Sequence, residues 1–161
     1  MIYRITVVVA GLVGLYIAVI GVAYLAGYRV YKIPTSAMRP TIEKDESVVG
    51  RLSDSYRDHV RRFDLVIYLA PQATGQLYTK RIIGLPGERI VIDASGVTID
   101  GTKLSLPSSV SPRGFAIKGC DLVIPPDTFF VLGDFTENAA DSRYLGPVPK
   151  QDVIGYLVFK K

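Results

Sequence analysis

The chain has 161 residues, 48% hydrophobic and 21% charged, with a formal net charge of +4. That length holds one modest domain, and so large an apolar share places part of it outside a soluble core. The arginines Arg51, Arg57, Arg61 and Arg62 alternate with Asp54, Asp58 and Asp64, which reads as a solvated face, excludes a nucleic-acid partner and leaves contact with anionic lipid as the lesser reading.

From Ile5 to Gly27 no residue is charged. At about 1.5 Å per residue this run crosses roughly 30 Å of hydrocarbon, so the sequence predicts an anchor over 1–28 with one transmembrane helix over about 5–27 in the lipid bilayer. A cleavable leader has an apolar core of about 7–15 residues and a small-x-small site, and Ala23 and Ala26 are spaced wrongly for one. Tyr3, Tyr28 and Tyr31 flank the run, where amphipathic rings favour headgroups. Ala10, Gly14 and Ala18 read as ordinary small residues facing lipid rather than a helix-pairing seam. Arg4 lies on one side and Arg29, Lys32 and Arg39 on the other; counted alone, these charges lean toward a cytoplasmic globular part.

After Tyr28 the pattern changes to short runs of Val, Ile, Tyr and Phe between Gly, Pro and Asp, the signature of strands and turns. Residues 29–161 are therefore predicted to be a mostly β domain. Its strands are Ser47 to Leu52, Asp64 to Leu69, Gln76 to Ile83, Glu88 to Asp93, Gly96 to Asp100, Thr128 to Leu132 and Val153 to Lys160. Ile90, Ile92, Val97 and Ile99 alternate with mostly polar neighbours about Ala94-Ser95-Gly96, which predicts a hairpin, and Asp100-Gly101 is a second turn. Pro34, Pro40, Pro71, Pro86, Pro107, Pro125 and Pro126 fall at joints, where no ladder hydrogen bond is needed. Leu104 to Cys120 is the least regular stretch and is predicted to be a surface excursion.

Few residues can carry chemistry. Cys120 is the sole cysteine, so no internal disulfide forms. His59 is the sole histidine and has no serine motif beside it, which excludes a Ser-His-Asp triad; one His and one Cys hold no typical zinc site, so no metal and no cofactor are expected. A lysine can serve as base near neutral pH if burial lowers its pKa from about 10.4. Lys80, closing the run Gln76-Leu77-Tyr78-Thr79, is the candidate, although a lysine in a strand is ordinarily a solvated edge residue.

Four segments decide the reading. Ile33-Pro34-Thr35-Ser36-Ala37-Met38-Arg39-Pro40-Thr41 resembles the nucleophile box of the type I signal peptidases, whose usual core is Ser-Met-x-Pro-Thr. Arg62 to Tyr68 is similar to the short box after it, Lys80 to Glu88 to the lysine box, and Gly133 to Tyr144 to the last box, with its Gly-Asp and Asp-Ser-Arg. They occur in the family's order and span nearly all of the domain. The resemblance implies a mostly β catalytic fold, a Ser/Lys dyad and cleavage of signal peptides from exported preproteins. It also implies a single-pass protein of the cytoplasmic membrane with its catalytic domain on the extracytoplasmic side, against the charge count above. By resemblance Lys80 is the general base, Thr35 an oxyanion donor, and Asp141 with Arg143 a supporting ion pair.

Two positions depart from the pattern. Aligning Met38, Pro40 and Thr41 puts the family's serine at Ala37, whose methyl cannot attack a carbonyl. Ser36 is one position early, and in an extended segment it would face away from Lys80. Ala139 stands where the family commonly has a serine that helps hold the lysine amine. We read Ala37 as a substitution introduced into an otherwise working enzyme, since Lys80, Asp141 and Arg143 are retained; a natural membrane-tethered preprotein binder without activity is the alternative. A self-cleaving repressor also pairs serine with lysine on a β scaffold, but the apolar run argues against it. Oligomeric state has no signal in the sequence.

Overall fold

The structure is a computed structural model describing residues 2–70 and 75–158. Pro71 and residues 159 and 160 of the last predicted strand lie outside the described residues. The apolar run forms α1 (Ile2–Leu25), and its segment Val7–Leu25 is the one helix, among the described residues, long and apolar enough to cross a membrane. The helix stops two residues short of the predicted end. Gly27 adopts φ +87°, a left-handed backbone that glycine takes without steric cost, and its N–H closes a turn on Tyr24 O at 3.1 Å.

β1 (Tyr28–Lys32) follows at once. The remaining strands are β2 (Ser47–Leu52), β3 (Leu65–Leu69), β4 (Leu77–Gly84), β5 (Arg89–Asp93), β6 (Gly96–Ile99), β7 (Thr102–Lys103), β8 (Cys120–Val123), β9 (Thr128–Leu132), β10 (Val148–Pro149) and β11 (Val153–Leu157), with a short α2 at Ser142–Leu145. A seven-stranded sheet has the order β1-β2-β11-β3-β4-β9-β10, and a four-stranded sheet the order β7-β6-β5-β8. All of their pairings are antiparallel. This is the mostly β architecture expected, and the predicted hairpin pairs Ile92 with Val97 and Ile90 with Ile99.

Three apolar clusters hold the sheets. Ile83, Ile90, Ile92, Val97, Phe130 and Leu132 join the small sheet to the large one. Val66, Tyr68, Ile82, Val131 and Val153 pack one face of the large sheet, while Ile33, Met38, Ile42, Val48, Leu65 and Ile67 pack the other. The stretch Leu104 to Cys120 corrects the sequence reading. It is irregular, but Val110 and Phe115 are buried, Leu104 and Leu106 pack against the first cluster, and Cys120 begins β8. Its apolar residues are too widely spaced to show a strand or helix period, so their burial was illegible in the sequence.

Candidate active site

The segment that leaves β1 turns instead of extending. Asp45 N donates to Ile33 O at 2.7 Å and Ile42 N to Met38 O at 2.9 Å, closing a compact loop. Met38 and Ile42 are its anchors, buried against Val48, Leu65 and Ile67. Residues 35–41 are bends and turns, so alternation along a strand does not govern where Ser36 points. Ser36 and Ala37 both line one groove with Lys80, and Asn138 Nδ2 donates to Ser36 Oγ at 3.0 Å.

Ala37 is 6% exposed. Its carbonyl accepts from Phe135 N at 3.0 Å, tying the loop to the segment after β9. Gly133 permits that approach: a Cβ there would stand 2.6 Å from Ala37 O and 2.5 Å from Ala139 Cβ, and backbone cannot yield to it. Ala139 is buried in this contact. Thr35 lies exposed on the groove wall. No hydrogen bond among the described residues uses the Thr35 hydroxyl or the Ala37 N–H.

Lys80 enters from β4, opposite Val66 of β3 in register. It is 5% exposed. Its Nζ donates to Thr79 O at 3.2 Å and lies 5.2 Å from the centre of the Tyr78 ring, with no carboxylate in ion-pair contact among the described residues. Burial pushes its pKa from 10.5 down to about 8, against the opposing pull of Asp141 and Asp134. About a tenth of such amines are neutral at pH 7, far more than for a solvated lysine. The arrangement can accept a proton at Nζ from a group placed in the groove.

Two carboxylates lie behind the groove, and both are neutralised. Asp141 receives Arg143 Nε at 2.9 Å and Nη2 at 2.9 Å; the same guanidinium donates to Gly114 O at 2.8 Å and Thr136 O at 2.7 Å. Asp141 also caps α2 through Arg143 N and accepts from Gly133 N at 3.1 Å. Asp134 receives Arg81 Nε at 2.8 Å and Nη2 at 2.6 Å, and accepts from the Thr41 hydroxyl. The second pair was missed in the sequence, where Arg81 read only as a flank of Lys80; its signal was the alternation of β4, which turns neighbouring residues to opposite faces.

The groove has a volume of about 730 Å³ and runs between residues 31–37 and 76–80. Both walls offer free backbone. Among the described residues β1 pairs only with β2. β4 pairs with β3 along Leu77–Arg81 but meets β9 only from Arg81 onward, so that among the described residues no strand lies on that side of 77–80.

A family model described as signal peptidase, peptidase S26 matches residues 4–160. The chain belongs to the type I signal peptidases. Signal peptidase I of Leptolyngbya laminosa is 31% identical over 135 residues, 80% of this chain and 66% of that protein. A probable signal peptidase I-2 of Synechocystis is 30% identical, and the match takes in 58% of its length, so the chain spans about two thirds or less of these two relatives. Proteins of Staphylococcus aureus named inactive signal peptidase IA are 30% identical over 158 residues, covering 92% of this chain and 88% of theirs. The crystal structure of a signal peptidase I from Enterococcus faecalis V583 superimposes with a TM-score of 0.54 at 32% identity, covering 62% of this chain and 97% of that one. Together with α1, membership of this signal peptidase family points to a membrane-anchored protein.

Proposed function

We propose that this chain captures the signal peptides of exported preproteins in the groove and, as it stands, does not cut them. The observation that carries this reading is Ala37, a methyl group at the buried wall shared with Lys80. A peptide entering as an added strand would pair with the backbone groups still open along 31–37, where Ile33 O and Ala37 O are already taken, and along 77–80. The Staphylococcus relatives named inactive support a natural non-catalytic member over an introduced substitution.

With serine at 37 the same groove supports a Ser/Lys dyad. Neutral Lys80 takes the hydroxyl proton as Oγ adds to the scissile carbonyl, then passes that proton to the amine as the C–N bond breaks. Water, deprotonated by Lys80, cleaves the acyl ester and releases the serine. The N–H of residue 37 and the Thr35 hydroxyl hold the oxyanion, each such donor contributing about 3–4 kcal/mol. Asp141 and Arg143 position the lysine strand, and Ala139 lacks the hydroxyl that would steady the amine. The domain works on the extracytoplasmic side of the cytoplasmic membrane.

Incubating the unsubstituted chain in lipid with a fluorescent signal peptide tests this. Saturable anisotropy with no fragments by mass spectrometry is expected. Absence of binding would remove the substrate assignment, and fragments that vanish in Ser36→Ala would move the nucleophile to Ser36.

A further inference from the structure

The outer face of the large sheet carries an arginine that the groove does not use. Tyr28 of β1, Arg51 of β2 and Tyr156 of β11 are successive register partners, so their side chains form one row on one face. The neighbouring Gly50 marks the opposite, groove-side face, since a Cβ there would meet Ile67 and Tyr31. Tyr56 stacks on Tyr156 with ring centres 4.0 Å apart, and the Arg51 guanidinium lies 5.6 Å from the Tyr28 ring centre.

Among the described residues the Arg51 side chain has no hydrogen bond and no ion pair, and its Nε is buried without a partner. Other buried or half-buried arginines are satisfied: Arg57 on Val153 O, Arg62 on Glu88, Arg81 on Asp134 and Arg143 on Asp141. Carboxylates of the adjoining segment are engaged elsewhere, Asp54 by Arg57 and Asp64 by the Tyr56 hydroxyl and Arg61 N. The buried Nε keeps its cost, while the two Nη groups, unused by any described residue, are the donors left to an anion from outside the chain.

Its height relative to the bilayer says which anion. Leu52 N donates to Gly27 O at 2.9 Å, and a Cβ on Gly27 would stand 2.6 Å from Leu52 O, so only glycine lets the sheet touch the chain here. Gly27 is two residues past the apolar segment Val7–Leu25. Those 19 residues rise about 28 Å, the thickness of a bilayer's hydrocarbon, so with α1 inserted Gly27 lies at the headgroups. Arg51 therefore stands at headgroup level between two tyrosines, residues suited to that zone.

We propose that Arg51, set between Tyr28 and Tyr156, holds the phosphodiester of an anionic membrane phospholipid. The two Nη groups, without a partner among the described residues, take two phosphate oxygens in the planar geometry that suits guanidinium. The seat is independent of the groove and of whether the chain cuts peptides.

Native mass spectrometry of the full chain in detergent tests the seat, with phosphatidylglycerol, phosphatidylcholine or inorganic phosphate added. One phosphatidylglycerol should be retained in preference to phosphatidylcholine, and Arg51→Gln should lower that retention about tenfold. Arg51→Lys keeps the stem and charge without the fork; it guards against a folding failure and should also lose most of the bound lipid. Equal retention by these variants, equal retention of phosphatidylcholine, or displacement by millimolar inorganic phosphate would overturn the proposal.

Discussion

Lys80 is destabilising at neutral pH, because the fold must desolvate its ammonium without an ion pair. Its folded pKa of about 8 lies below the 10.5 of the unfolded chain, so between those values the unfolded state binds more protons and stability rises with pH. The difference amounts to about 3 kcal/mol, absent below pH 8 and gained progressively above it. Burial raises the hydroxyl pKa of Tyr56 and Tyr68, which acts in the opposite sense above about pH 10. Urea unfolding at pH 7, 8 and 9.5 should therefore show the chain gaining on Lys80→Met as pH rises, and parallel curves for the two would contradict the buried amine. Composition and periodicity did not reveal this lysine, since in a strand it resembles any edge residue; only the box Lys80 to Glu88 singled it out. Its neighbour Arg81 went unread because the alternation of β4 turns it to the face opposite Lys80 but does not name its partner, a carboxylate 53 positions away.

At the scale of elements, the turn after β9 is the clamp on the site. Through Asp141, Gly114 O and Thr136 O, Arg143 joins α2, the irregular stretch after β7 and the Gly133 to Asn138 segment that holds Ala37 O. Removing one partner of a buried pair strands the other, so Arg143→Ala should lose roughly 3–5 kcal/mol. Hydrogen exchange should show Gly114 and Phe135 amides deprotected first, and protection unchanged there would contradict the clamp. Strands with clear alternation, such as β5 and β6, were legible to within a residue. β1, β7, β8 and β10 were not, because two to five residues beside an anchor or inside an irregular stretch carry too little period to detect.

For the whole molecule, family resemblance and positive charge disagree about which side of the membrane holds the β domain, and the proposal follows the family. Lys118 is exposed, and Cys120 nearby is half-buried with its thiol pushed up to about 11, mainly by burial. In a Cys120→Ser background, Lys118→Cys should react with a membrane-impermeant maleimide added outside intact cells. Reaction only after lysis would place the domain in the cytoplasm and reverse the topology. The anchor was plain from length and composition alone, whereas the contact of Gly27 with Leu52 that fixes the sheet at its end was not, since it joins residues far apart in sequence.

The most direct measurement restores a hydroxyl at position 37 in the full chain, reconstituted in lipid with a preprotein substrate. Ala37→Ser should release a single amino-terminal fragment, with a rate that rises through pH about 8 as Lys80 loses its proton. Adding Lys80→Met should abolish it. Cleavage by the unsubstituted chain, or none after Ala37→Ser in a folded protein that binds the substrate, would contradict the account.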